Sequence, residues 1–210
     1  MQAARGASLS DAHTGPESNV HPVRWAEFAA VAVPLLVIDQ LTKLWAVATL
    51  VPGQPQELVG SVLQLNIIRN PGAAFSAGTG YTWIFTTLSI VATIGVLWFA
   101  RRVRHRGWAI ALGILIAGIC GNLIDRLTRE PGFYLGHVVD FLQLPNWPIF
   151  NVADMCINVA AVLIVILSFK GIGLDGSIDG ASDEAETSPE TSPETSPETN
   201  SATSSEGEAK

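Results

Sequence analysis

Charged side chains are scarce in this 210-residue chain: Asp, Glu, Lys and Arg make up 15% of it, against 48% apolar residues. Soluble domains average about a quarter charged, so a freely soluble domain is excluded. Cysteine is nearly absent. Cys120 and Cys156 both lie in apolar runs, which excludes a disulfide scaffold and a CxxC metal site. Histidine is limited to His13, His21, His105 and His137, with no HExxH pattern for zinc. No GxSxG motif occurs, and neither cysteine has an evident basic partner, so nucleophilic serine or cysteine catalysis lacks its base. A basic face for nucleic acid is also missing. Met1–Lys170 holds 11 basic and 9 acidic residues, whereas Gly171–Lys210 holds one and 10. The acidic balance therefore belongs to the C-terminal segment.

What the chain has is length in its apolar runs. A bilayer core about 30 Å thick takes roughly 20 apolar residues as helix. Four segments meet that demand: Trp25 to Leu50, Tyr81 to Ala100, Trp108 to Ile124, and Ile149 to Phe169. The expected fold class is an all-α membrane protein of four transmembrane helices with a small extracytoplasmic β element. The β element is expected near Val62 to Arg69, where apolar and polar residues alternate. Residues 1–24 are polar and read as a disordered cytoplasmic extension. Residues 25–170 form the transmembrane domain. Residues 171–210, with tandem TSPE repeats from Thr187 to Glu198, read as a disordered acidic cytoplasmic tail.

The positive-inside rule sets the orientation. Arg101, Arg102, Arg104 and Arg106 fill the loop between spans two and three. That loop, Arg24 and Lys170 share one side if the spans alternate, which makes both termini cytoplasmic. Trp147 and Tyr81 then fit an outer aromatic belt, Trp98 and Trp108 an inner one.

On that topology the intramembrane polar groups fall at the outer face. Asp39 and Lys43 are spaced i,i+4; Asn122, Asp125 and Arg126 i,i+3,i+4; Asn151, Asp154 and Asn158 i,i+3,i+7. Residues so spaced project together. Asn70, Gly72 and Asp140 join them from the outer connections. Ionisable groups at membrane depth face a bundle interior or a wet cavity. Gly113, Gly118 and Gly121 admit a close neighbouring helix. Asp39–Lys43 reads as an internal ion pair before a catalytic one. Asp125–Arg126 reads as structural or substrate-orienting, and the three asparagines suit an extended peptide. Spacing alone leaves Asp140 open between a solvated loop residue and a functional one. Asp154 has no basic residue within a turn. Carboxylates are the chemistry left: two in proximity can divide into one ionised and one protonated member, the first activating water and the second donating a proton.

Five blocks carry a specific likeness: Asp39-Gln40-Leu41-Thr42-Lys43, Asn70-Pro71-Gly72-Ala73-Ala74-Phe75, Gly121-Asn122-Leu123-Ile124-Asp125-Arg126, Val138-Val139-Asp140-Phe141 and Phe150-Asn151-Val152-Ala153-Asp154. In this order, on four spans, they resemble the lipoprotein signal peptidases, the type II signal peptidases of bacteria, over Ala26 to Lys170. The resemblance implies a membrane aspartic peptidase in the inner (cytoplasmic) membrane. It would cut prolipoproteins before a cysteine that carries diacylglyceryl. It pairs Asp140 with Asp154 as the dyad, with Asp125 as the rival for the second carboxylate. It places Asn70, Gly72, Asn122, Arg126 and Asn151 at the substrate, with Asp39, Lys43 and Asp125 as support. It implies no metal or cofactor, inhibition by cyclic peptides of the globomycin type, contact with membrane lipids, no nucleic-acid partner, and a monomer. Two other classes fit the bare pattern. An ion-coupled transporter would hold its carboxylates near the midplane in repeated halves, and a non-catalytic scaffold would act through its tail.

Overall fold

The computed structural model describes residues 23–72 and 81–177. Residues 1–22 of the N-terminal extension, Ala73, Ala74 and Phe75 of the second block, and the TSPE repeats lie outside the described residues. The elements run α1 (Trp25–Thr49), β1 (Gln56–Val59), β2 (Leu63–Asn70), α2 (Thr82–Ala100), α3 (Arg106–Thr128), β3 (Val138–Gln143) and α4 (Val152–Phe169). All four helices are long and apolar enough to cross a membrane. Their outward faces are apolar: Val37, Leu41 and Leu44 on α1, Leu88, Val91 and Ile94 on α2, and Val159 and Val162 on α4 are exposed. Burial there would need a partner protein or hydrocarbon, and the length of the helices matches hydrocarbon.

Helix α3 is the axis and packs against each of the other three. Small residues make this possible. A Cβ on Gly113 would meet the Phe28 carbonyl, one on Gly118 the Ala153 carbonyl, and one on Gly121 the Asp39 carboxylate. Buried Ala109, Ala111 and Ala117 continue the narrow surface. Backbones can therefore approach closely where no hydrophobic drive between helices exists in lipid. Helix α3 extends past its expected end at Ile124 to Thr128, so Asp125 and Arg126 are helical.

Two apolar cores sit at opposite ends of the bundle. One joins Phe28, Ala32, Val96, Ala100, Val103, Leu112 and Ile116 beside the arginine loop. The other joins Ala46, Leu50, Leu65, Ile67, Val139 and Phe141. The second core is where a three-stranded antiparallel sheet, ordered β1-β2-β3, rests on the bundle. Strand β2 matches the alternation in the sequence, and β1 lies in the same connection, Pro52 to Gly80, to which the resemblance assigns the β element; β3 lies outside it. Strand β3 also corrects the reading of Asp140 as a loop residue. Asp140 lies in a strand paired opposite Ile68, and it is 2% exposed. The run Val138–Phe141 is buried at every position, so it has no alternation to betray a strand.

Residues 171–177 are folded, although composition assigned them to the tail. The Leu174 carbonyl accepts from the Arg104 and His105 backbone N–H groups at 2.8 and 3.1 Å. The Ile172 carbonyl accepts from the Trp108 indole at 2.8 Å. At the other margin, Arg24 Nε donates to the Arg104 carbonyl at 2.7 Å. These bonds pin both margins of the domain to the arginine loop.

Candidate active site

The sequence Asn151-Val152-Ala153-Asp154 is a helix start written in full. Asn151 is the N-cap of α4. Its side-chain oxygen accepts the Asp154 N–H at 3.0 Å, and the Asp154 carboxylate accepts the Asn151 N–H at 3.1 Å. This reciprocal capping box satisfies two donors that a helix start leaves orphaned. It also fixes the Asp154 carboxylate in the first turn of α4, where the helix dipole favours negative charge.

The cap has a second consequence. With its oxygen committed to Asp154, the Asn151 amide must turn its NH₂ outward, and that group donates to Asp140 Oδ1 at 2.6 Å. Asn70 behaves alike. Its oxygen accepts the Gly72 N–H at 3.0 Å, so its NH₂ faces Asp140 Oδ2 at 2.9 Å. Strand register provides the reach, since Ile68 pairs with Asp140 and Asn70 with Val138, making Asn70 a diagonal neighbour of Asp140. Asn122 is turned by Lys43, whose ammonium donates to its oxygen at 3.0 Å, so its NH₂ donates to Asp154 Oδ1 at 2.8 Å. All four carboxylate oxygens of Asp140 and Asp154 thus receive an N–H, and every amide is held in that orientation by another neighbour.

Behind this pair lies an ionic cluster. Lys43 is fully buried and binds Asp39 at 2.9 Å and Asp125 at 3.1 Å besides Asn122. Asp125 also accepts from Arg129 at 2.6 Å and from the Val139 N–H at 3.1 Å, which ties α3 to β3. Asp39 accepts the Ala153 N–H at 2.9 Å, which ties α1 to the start of α4. Two acids and two bases balance in charge, as burial demands. Asp125 is committed to this cluster. Arg129 was missed in the sequence, although its i,i+4 spacing from Asp125 was a usable signal.

A cavity of about 250 Å³ opens onto the pair. Asp140, Asp154, Asn70 and Gly72 line it, with Val138, Trp147 to Phe150 and Asn158 completing the wall. Asn122 and Asn151 are buried behind the carboxylates and outside that lining. Arg126 is buried as well, with long 3.4 Å bonds to the Asn122 and Gly72 carbonyls. Its Nε has no partner among the described residues. Burial, and then the charge of Asp154, push the Asp140 carboxyl up to about 7, against the hydrogen bonds from Asn70 and Asn151 and the charge of Lys43. A carboxyl held there exchanges protons near neutrality, as a general acid or base requires.

With this geometry in place, the likeness to known proteins has a physical site to refer to. A family model described as Signal peptidase (SPase) II matches residues 31–170. The chain is 48% identical over 149 residues to a lipoprotein signal peptidase of Leifsonia xyli subsp. xyli, covering 70% of this chain and 69% of the relative. It is 44% identical over 160 residues to the lipoprotein signal peptidase of Mycobacterium tuberculosis, covering 76% and 79%. A bacterial membrane enzyme solved by the in meso method at 2.3 Å superposes with a TM-score of 0.65 at 28% identity, covering 71% of this chain and 92% of that one. A second such enzyme, at 1.9 Å, gives 0.63 at 29% identity, covering 72% and 97%. A model match over most of the chain, together with relatives at this identity, shows that the chain belongs to the signal peptidase II family.

Proposed function

We propose that this protein removes signal peptides from prolipoproteins by cutting before a diacylglyceryl-modified cysteine, with Asp140 and Asp154 as the catalytic pair. The observation that carries the reading is the shared cavity: both carboxylates reach it, and one residue, Asn151, bonds to both. The four N–H donors around the pair favour one negative charge there, and mutual repulsion of two close acids favours one proton. The ionised member takes a proton from water while that water attacks the scissile carbonyl. The neutral member gives its proton to the carbonyl oxygen. When the tetrahedral intermediate collapses, the C–N bond breaks, the amine leaves with the proton taken from water, and a hydroxyl of the intermediate returns its proton to the other carboxylate as the carbonyl re-forms.

The arginine loop marks the cytoplasmic side by the positive-inside rule. The sheet and the cavity then face the outer leaflet of the cytoplasmic membrane, with both termini inside. A substrate anchored there keeps its acyl chains in lipid while its scissile bond meets water. Prolipoprotein and membrane lipid are the partners of this reading. The enzyme acts as a monomer without metal or cofactor, and globomycin-type cyclic peptides occupy its cavity.

The test incubates the purified protein with a diacylglyceryl-modified precursor and an unlipidated control, with mass analysis of products. The lipidated precursor alone should be cut, and EDTA should leave the rate unchanged. Asp140→Asn and Asp154→Asn should each lower the rate by at least about a hundredfold while inserting normally. Wild-type cleavage by either folded variant would refute the pair.

A further inference from the structure

One polar side chain of the cavity wall has no part in the catalytic arrangement. Asn158 lines the cavity from α4 and is exposed. It stands four residues below Asp154, about 6 Å deeper along the helix. The hydroxyls on the outward helix surfaces satisfy themselves: Thr49, Thr87 and Ser168 each donate to the carbonyl four residues back. Asn158 does this with one N–H, which donates to the Asp154 carbonyl at 2.9 Å. A primary amide has more to satisfy than one such bond. Its oxygen and second N–H have no partner among the described residues, and they sit at membrane depth, where unpaired polar groups are costly.

A peptidase site makes a matching demand. A membrane-spanning substrate segment is helical, and hydrolysis needs its scissile stretch extended. Unwinding a helix frees backbone N–H and C=O groups, and below the two carboxylates, toward the hydrocarbon, fewer partners are there to receive them. A side-chain amide offers one acceptor and one donor, the complement of one peptide unit. We infer that Asn158 is a substrate-positioning residue that pairs with the unwound backbone on the N-terminal side of the scissile bond, and so lowers the cost of extending it. This rests on the peptidase reading above.

The experiment uses two diacylglyceryl-modified precursors that differ only in the three residues before the modified cysteine, one glycine-rich and one built of leucine and alanine. Asn158→Leu should lower kcat/KM for the leucine-alanine precursor by about tenfold, the worth of one or two hydrogen bonds. For the glycine-rich precursor, which unwinds readily, the loss should stay within about twofold. Asn158→Gln, which keeps donor and acceptor, should recover part of the difference. Equal losses on both precursors would assign Asn158 a merely structural role and overturn the inference, as would no loss on either. Asp140→Asn run in parallel separates the two readings: normal cleavage by it removes the catalytic pair, whereas failure of the wild type on both precursors removes the peptidase reading and this inference with it.

Discussion

Asp140 on β3 and Asp154 on α4 are bound by one residue, Asn151, through two different parts of it: its side-chain NH₂ to Asp140 at 2.6 Å and its backbone N–H to Asp154 at 3.1 Å. The same asparagine caps α4. Starting the helix and placing the two carboxylates are therefore one structural event, and the two roles can be separated by substitution.

Asn151→Ser keeps a good N-cap oxygen and removes the NH₂ that faces Asp140. The exchange of caps should cost little stability, because Ser and Asn are similar caps, while the lost NH₂, which also bonds the Asn122 oxygen and the Val139 carbonyl, should cost about 1–3 kcal/mol. The cleavage rate should fall by at least about tenfold, since Asp140 loses a buried donor. Thermal unfolding in detergent and cleavage of a lipidated precursor, measured side by side, decide this. A wild-type rate in the folded variant would show that the NH₂ has no part in setting Asp140 for catalysis.

The Asp140 carboxyl, raised to about 7 by burial and by Asp154, sets a pH dependence with a definite sign. In the unfolded chain it ionises near 3.8, the ordinary value for an aspartate. Between those values the folded state binds the extra proton, so this group's contribution to stability is lost as pH rises from about 4 to about 7, and is level above. With Asp140 as the protonated member, kcat/KM should decline as pH rises through about 7. A pH–rate profile tests this, and a rate still climbing at pH 9 would contradict it.

Lys43→Met should be severely destabilising, by about 3–5 kcal/mol, because it leaves Asp39 and Asp125 buried without their shared cation. It also releases the Asn122 amide from its fixed orientation. The expected readout is a lower unfolding temperature and reduced protein in the membrane. Near-normal stability would mean that Arg129 carries the balance alone.

Truncation separates the folded margin from the acidic segment. Ending the chain after Ser177 should leave activity and stability at wild-type levels. Ending it after Lys170 removes the Leu174 and Ile172 carbonyls from the arginine loop and should cost about 1–3 kcal/mol. Unfolding midpoints of the two truncated proteins against the full chain give the comparison.

The sequence by itself determined the four helices, because runs of apolar residues long enough to cross hydrocarbon have few other stable forms. It also determined that the polar residues gather at one end, since their positions along alternating spans are a matter of counting. The i,i+4 spacing of Asp39 and Lys43 made their ion pair legible. Asn151 and Asp154 were legible as neighbours, although the capping box they form went unread. Only the tertiary structure decided the rest. Strand β3 is buried along Val138–Phe141, so no periodicity announced it, and Asp140 remained open on spacing alone. The commitment of Asp125 to Lys43 and the Val139 N–H could not be counted from the chain, because it depends on contacts between α1, α3 and β3, whereas its pairing with Arg129 is local to the end of α3. The same holds for the amides. Which end of Asn70, Asn122 or Asn151 faces a carboxylate is set by whatever bonds its other end, and those partners meet only when sheet and bundle are packed together.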